Sequence, residues 1–182
     1  MRVCFGFPDG EELGFYGARV LLARLEVDQR PRLVIALDLV GQGELTAMGL
    51  GHAFGARRLK WLLDAADVQV PYSYRVFSRL FPGRERSDHA PFAEKGIPAF
   101  LLMGRSELGV YWPYHTEDDG LKYLEPDALE AAVIGLVGIL RAGPPPQEQS
   151  GWAVVVPGTR WVIPRGGLFA LLVMGIGAGM LV

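Results

Sequence analysis

Cysteine is almost absent: Cys4 stands alone in a chain of 182 residues. No intrachain disulfide can form, and a zinc–thiolate cluster is excluded by the count. Histidine is nearly as scarce. Only His52, His89 and His115 occur, so any metal site must draw on these three and on carboxylates. No block of one charge sign is present and the net charge is −2, which argues against an electrostatic nucleic-acid binder. The nearest basic cluster, Arg57-Arg58-Leu59-Lys60 with Arg84 and Arg86 further on, reads as solvated helix face or loop. What the chain does have is apolar residues, half of the total. That is enough for one domain with a real core, and it excludes disorder.

Strand and helix patterns alternate along the chain. Met1-Arg2 runs directly into a strand pattern over residues 2–7 rather than a leader pattern. Cys4, among Val3, Phe5 and Phe7, is expected there as a small buried residue. Pro8-Asp9-Gly10 breaks the strand, and a helix follows from near Glu11 with Ala18, Leu21, Leu22 and Leu25 as its buried face. Residues 32–39 form a near-continuous apolar run, as in a parallel strand covered on both sides. Gly41-Gln42-Gly43 turns the chain, helices are expected between Gly55 and Arg79 with a break at Pro71, and residues 97–103 read as a further buried strand.

The clearest helix spans residues 126–141, with Leu129, Ala132, Val133, Leu136, Val137 and Leu140 as its stripe and proline in its first turn. Residues 143–150 are a linker by composition, and a short Trp/Val segment over residues 152–163 leads to an uncharged apolar tail. Gly166 to Val182 falls just short of the about 20 residues of a spanning helix. It reads as the opening of a transmembrane helix, since its five glycines are costly in a water-soluble helix and tolerated in membranes.

Alternating strands and helices indicate a layered α/β sheet, where ligands bind beyond the carboxyl ends of the strands. Glu11 and Glu12 follow the first expected strand, Asp38 ends the second, and His115 lies in the loop after the third. All fall on one edge of the sheet. Adjacent carboxylates repel unless a cation or proton offsets them. Glu11-Glu12 therefore either serves a helix macrodipole or meets a cation. Asp38, in an apolar strand, needs a partner if ionised, and a metal or a strand-end cap would each supply one. His115 is either a surface loop residue or a metal-binding histidine oriented by Asp119, four positions later.

Four fragments in order carry a resemblance: residues 7–14 (Phe-Pro-Asp-Gly-Glu-Glu-Leu-Gly) with Gly17; Leu37-Asp38-Leu39-Val40-Gly41; Ser87-Asp88-His89-Ala90-Pro91-Phe92 with Gly96-Ile97-Pro98-Ala99; and Tyr114-His115-Thr116 with Asp119. Together they resemble the zinc aminopeptidases that also include glutamate carboxypeptidase and glutaminyl cyclase (metallopeptidase clan MH, family twenty-eight), over roughly residues 1–140. The resemblance implies Glu11 as general base, Glu12 and His115 on one zinc, and Asp38 on the other. Asp88, His89, Tyr114 and Asp119 would line the site or support it, while His52 has no motif around it. Two zinc ions would polarise the scissile carbonyl and lower the pKa of water.

The chain departs from the family pattern in one respect. Members carry a histidine and a bridging aspartate upstream of the Glu-Glu pair, whereas ten residues precede Glu11 here and Asp9 belongs to the Glu-Glu motif. The expected fold is α/β: a mostly parallel central sheet with helices on both faces, its N-terminal strands missing, plus a C-terminal apolar helix. The expected units are a partial exopeptidase domain over residues 1–142, a linker with the Trp/Val segment over residues 143–165, and the start of a membrane helix over residues 166–182.

The expected function is zinc-dependent aminopeptidase hydrolysis of a peptide, by a membrane-associated protein whose metal site is incomplete, so that the chain as written has little activity. A non-catalytic receptor or scaffold ectodomain, or a glutaminyl cyclase-like acyltransferase, are the alternatives.

Overall fold

The computed structural model describes residues 2–25, 30–50, 54–68, 87–105, 113–147, 153–156, 160–164 and 166–170. His52, the expected break at Pro71 and the arginines at 84 and 86 lie outside these residues, as does the tail from 171 onward.

Three strands form the main sheet: β1 (Val34–Asp38), β2 (Glu44–Met48) and β3 (Ala99–Arg105), in the order β1-β3-β2. β1 runs parallel to β3, with Val34 opposite Ala99 and Asp38 opposite Met103. β2 pairs antiparallel on the far side of β3, with Glu44 opposite Arg105 and Met48 opposite Leu101. β2 lies where the sequence suggests no element. Pairing with β3, rather than local propensity, decides its conformation. The Thr46 hydroxyl donates to the Met103 carbonyl at 3.0 Å, which keeps this buried polar group satisfied.

Helices cover both faces. On one side α2 (Ala56–Ala66) and α4 (Pro126–Ala142) close the larger core, where Leu45, Ala47, Phe100 and Leu102 from the sheet meet Leu59, Leu62, Leu63 and Ile139. Phe54 packs edge-on against Phe100 at 5.6 Å. On the other side α1 (Tyr16–Arg24) and α3 (Ala90–Glu94) enclose a smaller cluster of Ala18, Phe92, Ile97 and Ala99. Leu22 and Leu25 pack against that cluster as the periodicity suggests, but Leu21 turns outward.

Two readings of the sequence are corrected. Residues 2–7 form no strand: the segment has no ladder partner among the described residues, Phe5 and Phe7 are 84% and 94% exposed, and Cys4 is exposed rather than buried. A strand pattern without a neighbour has no inner face to bury.

The second correction concerns α4. Its bounds match expectation, but its buried face is Ala128, Ala132, Gly135 and Ile139, while Leu129, Val133, Val137 and Leu140 point outward. The cause is close helix packing. A Cβ at Gly138 would collide with the Ala65 carbonyl, so α4 meets α2 through its small residues and leaves its large ones on the flank.

The segment expected as a connector carries structure of its own. β4 (Ala153–Val155) and β5 (Val162–Pro164) form an antiparallel pair whose Ala153, Val155 and Val162 pack on the larger core. Residues 166–170 are helical. Among the described residues no helix is long and apolar enough to cross a membrane, so the expected C-terminal membrane helix has no support here.

Candidate active site

Glu11, Glu12, Asp38 and His115 sit where the backbone turns sharply. Asp9 Oδ1 accepts the Gly10 N–H at 2.7 Å, and Gly10 takes a left-handed conformation at φ 70°. Glu11–Leu13 then form one 3-10 turn before α1 begins. The Gly17 N–H donates to the Asp9 carbonyl at 2.8 Å, and a Cβ on Gly17 would strike the Asp9 backbone. Gly17 thus lets the turn fold back onto the helix, which fixes the direction of Glu11 and Glu12.

Asp38 ends β1, and Leu39 immediately adopts φ 49°. His115 itself has φ 62°. Such values are uncommon for residues with a side chain and gather where function constrains the backbone. The β1–β2 turn is tied to the approach to α4 by three bonds: Gln42 Nε2 to the Tyr123 carbonyl at 2.9 Å, the Glu125 N–H to the Gly41 carbonyl at 2.9 Å, and the Gly43 N–H to Glu125 Oε2 at 3.1 Å. These bonds hold the chain leading from His115 against the end of β1.

The result is a cluster drawn from four separate places in the sequence. His115 Nε2 lies 2.8 Å from Glu12 Oε1, with its ring stacked on Tyr114 at 3.8 Å. Burial, then the charges of Glu12, Asp38 and Asp88 and a hydrogen bond with Glu12, push the Glu11 carboxyl up to about 7. Asp38 is also raised, first by burial and then by Glu12, while the Leu39 N–H and His115 act to lower it. Asp88 is raised by burial and by Asp38, and its Oδ1 is buried without a hydrogen-bond partner among the described residues. Four carboxylates and an imidazole are therefore electrostatically linked. Asp119 lies to one side, in the wall of a cavity of about 280 Å³ with Leu39, Gly41, Tyr123 and Leu124.

His89 faces elsewhere. It is fully buried, neither ring nitrogen has a hydrogen-bond partner among the described residues, and burial lowers its pKa to about 4. Its Nε2 abuts Gly49, which sits at φ 65° and has no room for a Cβ. That pairing joins residues far apart in the chain, and no sequence motif announces it.

A model of peptidase family M28 matches residues 1–137. The chain belongs to this family. Among solved structures it is similar to an aminopeptidase from Aneurinibacillus sp. strain AM-1, with 27% identity and a TM-score of 0.55 over 84% of this chain and 35% of that one. It is also similar to the zinc aminopeptidase of Bacillus subtilis (20% identity, TM-score 0.61, 78% and 36% covered). The third is a glutaminyl cyclase from an Acidobacteriales bacterium (19% identity, TM-score 0.50, 70% and 45% covered). The last two show a shared fold. No match is found among proteins of curated function. The chain spans little more than a third of the length of the aminopeptidases it matches.

The donor types suit zinc: imidazole and carboxylate are its ordinary nitrogen and oxygen ligands. Their number does not. Among the described residues no three His, Cys, Asp or Glu side chains converge closely enough to hold an ion, and catalytic zinc takes three protein ligands. Glu12 and His115 meet; Asp38 is electrostatically coupled to both without completing a trio.

Proposed function

We propose that this chain carries the proton-handling part of an aminopeptidase-type site, acting in a zinc-dependent exopeptidase. The observation that supports this reading is the convergence of Glu11, Glu12, Asp38, Asp88 and His115 beyond the carboxyl end of β1, in a chain of the M28 family. Glu11 is the general base. Its carboxyl, raised to about 7, is matched to neutral pH, where a group must both accept and release a proton. It takes a proton from the attacking water and returns it to the leaving amine. Glu12, Asp38 and His115 are the metal donors of this reading, short of a full ligand set by themselves. Asp88 sustains the negative field that keeps Glu11 basic. The substrate is a peptide with a free N-terminus, and the apolar tail tethers the protein to a membrane.

A second reading has a specific observation in its favour. Among the described residues no third donor joins Glu12 and His115, an arrangement a non-catalytic scaffold of the same fold would also have. Hydrolysis of L-leucine p-nitroanilide in the presence of zinc separates the two. The peptidase reading expects turnover that falls about 10²–10⁴-fold in Glu11→Gln. No zinc-dependent turnover, with the fold intact by circular dichroism, would favour the scaffold. Cyclisation of a glutaminyl peptide without release of leucine would favour acyl transfer.

A further inference from the structure

We infer that the outer face of the β4–β5 hairpin, with the short helix over residues 166–170, is a lipid-contact surface that lays the folded domain against the headgroup layer of a bilayer. Register places the side chains. Val155 and Val162 stand opposite each other and pack on the larger core. The Val156 N–H donates to the Trp161 carbonyl at 2.9 Å, so the ladder runs one pair beyond the two strands. Side chains alternate along a strand, and Trp161 and Ile163 therefore look away from the core. A Cβ on Gly167 would lie 3.4 Å from Ile163 Cγ2, which sets the short helix on this same outer face. Its exposed positions are Gly166, Phe169 and Ala170, at the i, i+3, i+4 spacing of one helix face. Trp161 is 76% exposed and Phe169 70% exposed, so two large aromatic rings stand in solvent on neighbouring elements.

Charge and composition select lipid as the occupant. From residue 149 to residue 182 there is no Asp or Glu, and Arg160 and Arg165 are the only charged residues. The uncharged apolar run from Gly166 follows directly. Tryptophan and arginine beside such a run suit a membrane–water boundary, where the indole settles among headgroups and the guanidinium meets lipid phosphate. Arg160 pairs with Asp67, but both side chains are more than half exposed. A pair of that kind is worth little, so the guanidinium is available to phosphate. The exposed positions of the face offer a protein few directional partners, whereas a lipid interface needs none. The inference rests on the membrane tether proposed above and not on the peptidase chemistry. It adds an orientation: because β4 and β5 pack on the larger core, contact through the hairpin fixes how the sheet faces the bilayer.

The test incorporates fluorotryptophan into the whole chain and places the protein in nanodiscs of phosphatidylcholine and phosphatidylglycerol. The fluorine NMR signal of Trp161 is assigned by its loss in Trp161→Phe. Two relaxation agents are then compared, a lipid with a nitroxide headgroup and a water-soluble gadolinium chelate. The inference expects the Trp161 signal to be lost with the nitroxide lipid and kept with the chelate. Loss to the chelate alone, in protein that co-elutes with the nanodiscs, would overturn the docking and leave the tether standing. A signal kept with both agents would mean that protein, a second copy included, covers the face, and would also overturn it. Loss to both would mean an indole moving between water and lipid, which contradicts a fixed orientation. Protein that does not co-elute with nanodiscs would overturn tether and docking together. Turnover of the leucine anilide is independent of all four outcomes, so the peptidase reading stands or falls separately.

Discussion

At the scale of single residues, Glu11 and His89 are both displaced from their ordinary pKa values by burial, and they pull stability in opposite directions with pH. A carboxyl raised to about 7 stabilises the fold below its ordinary value of 4.5, and the contribution is lost as pH rises through 7. Glu11→Gln should therefore match the wild type at pH 4 and melt higher at pH 8. Glu11 is only part-buried, so the expected gain is on the order of 2 °C. Thermal melts at the two pH values check it. Equal melts at pH 8 would mean that the Glu11 carboxyl is not raised in the folded protein.

His89 behaves in the reverse sense. Its depressed pKa means that the unfolded chain binds the extra proton first, so stability is full above pH 6.5 and falls toward pH 4. The loss amounts to about 3 kcal/mol over that range. Urea unfolding across pH 4–7 should show this slope in the wild type and lose it in His89→Gln.

At the scale of elements, glycines decide where helices and turns can sit. Gly17→Ala drives a Cβ into the Asp9 backbone and should cost about 1–3 kcal/mol while moving Glu11 and Glu12 away from His115. Denaturant unfolding measures the first effect, and a changed His115 imidazole NMR signal reports the second. Gly138→Ala, blocked by the Ala65 carbonyl, should cost a similar amount. Ile134→Ser on the exposed flank should change stability by less than about 0.5 kcal/mol.

These same contacts mark what the sequence could and could not disclose. The span of α4 was legible from its periodicity and its first-turn proline, and β1 and β3 from their apolar runs. The face that α4 buries was legible only in part: Ala132 is buried and Leu136 packs on the core, whereas Leu129, Val133, Val137 and Leu140 are exposed. Size and hydrophobicity point to the leucine and valine stripe, whereas close packing on α2 selects the alanine and glycine stripe. β2 was hidden because its pairing with β3 is long-range, and the fit between Gly49 and His89 for the same reason. Glu11, Glu12, Asp38, Asp88 and His115 were legible because each belongs to a short motif beside an element end. The structure brings all five into one field, although the segment before Glu11 is not the strand its pattern suggests.

At the scale of the whole molecule, a sheet with helices on both faces presents an acidic cluster at one strand end and an unburied apolar flank beside it. The chain belongs to the M28 family and spans little more than a third of the aminopeptidases it matches. Whether the cluster meets zinc is read most plainly from a zinc titration followed by the imidazole NMR signals of the three histidines. His115 should shift saturably while buried His89 stays silent, and Glu12→Gln and Asp38→Asn should each weaken the response. No zinc-dependent change at His115, with the protein folded, would contradict a metal-binding role for this cluster.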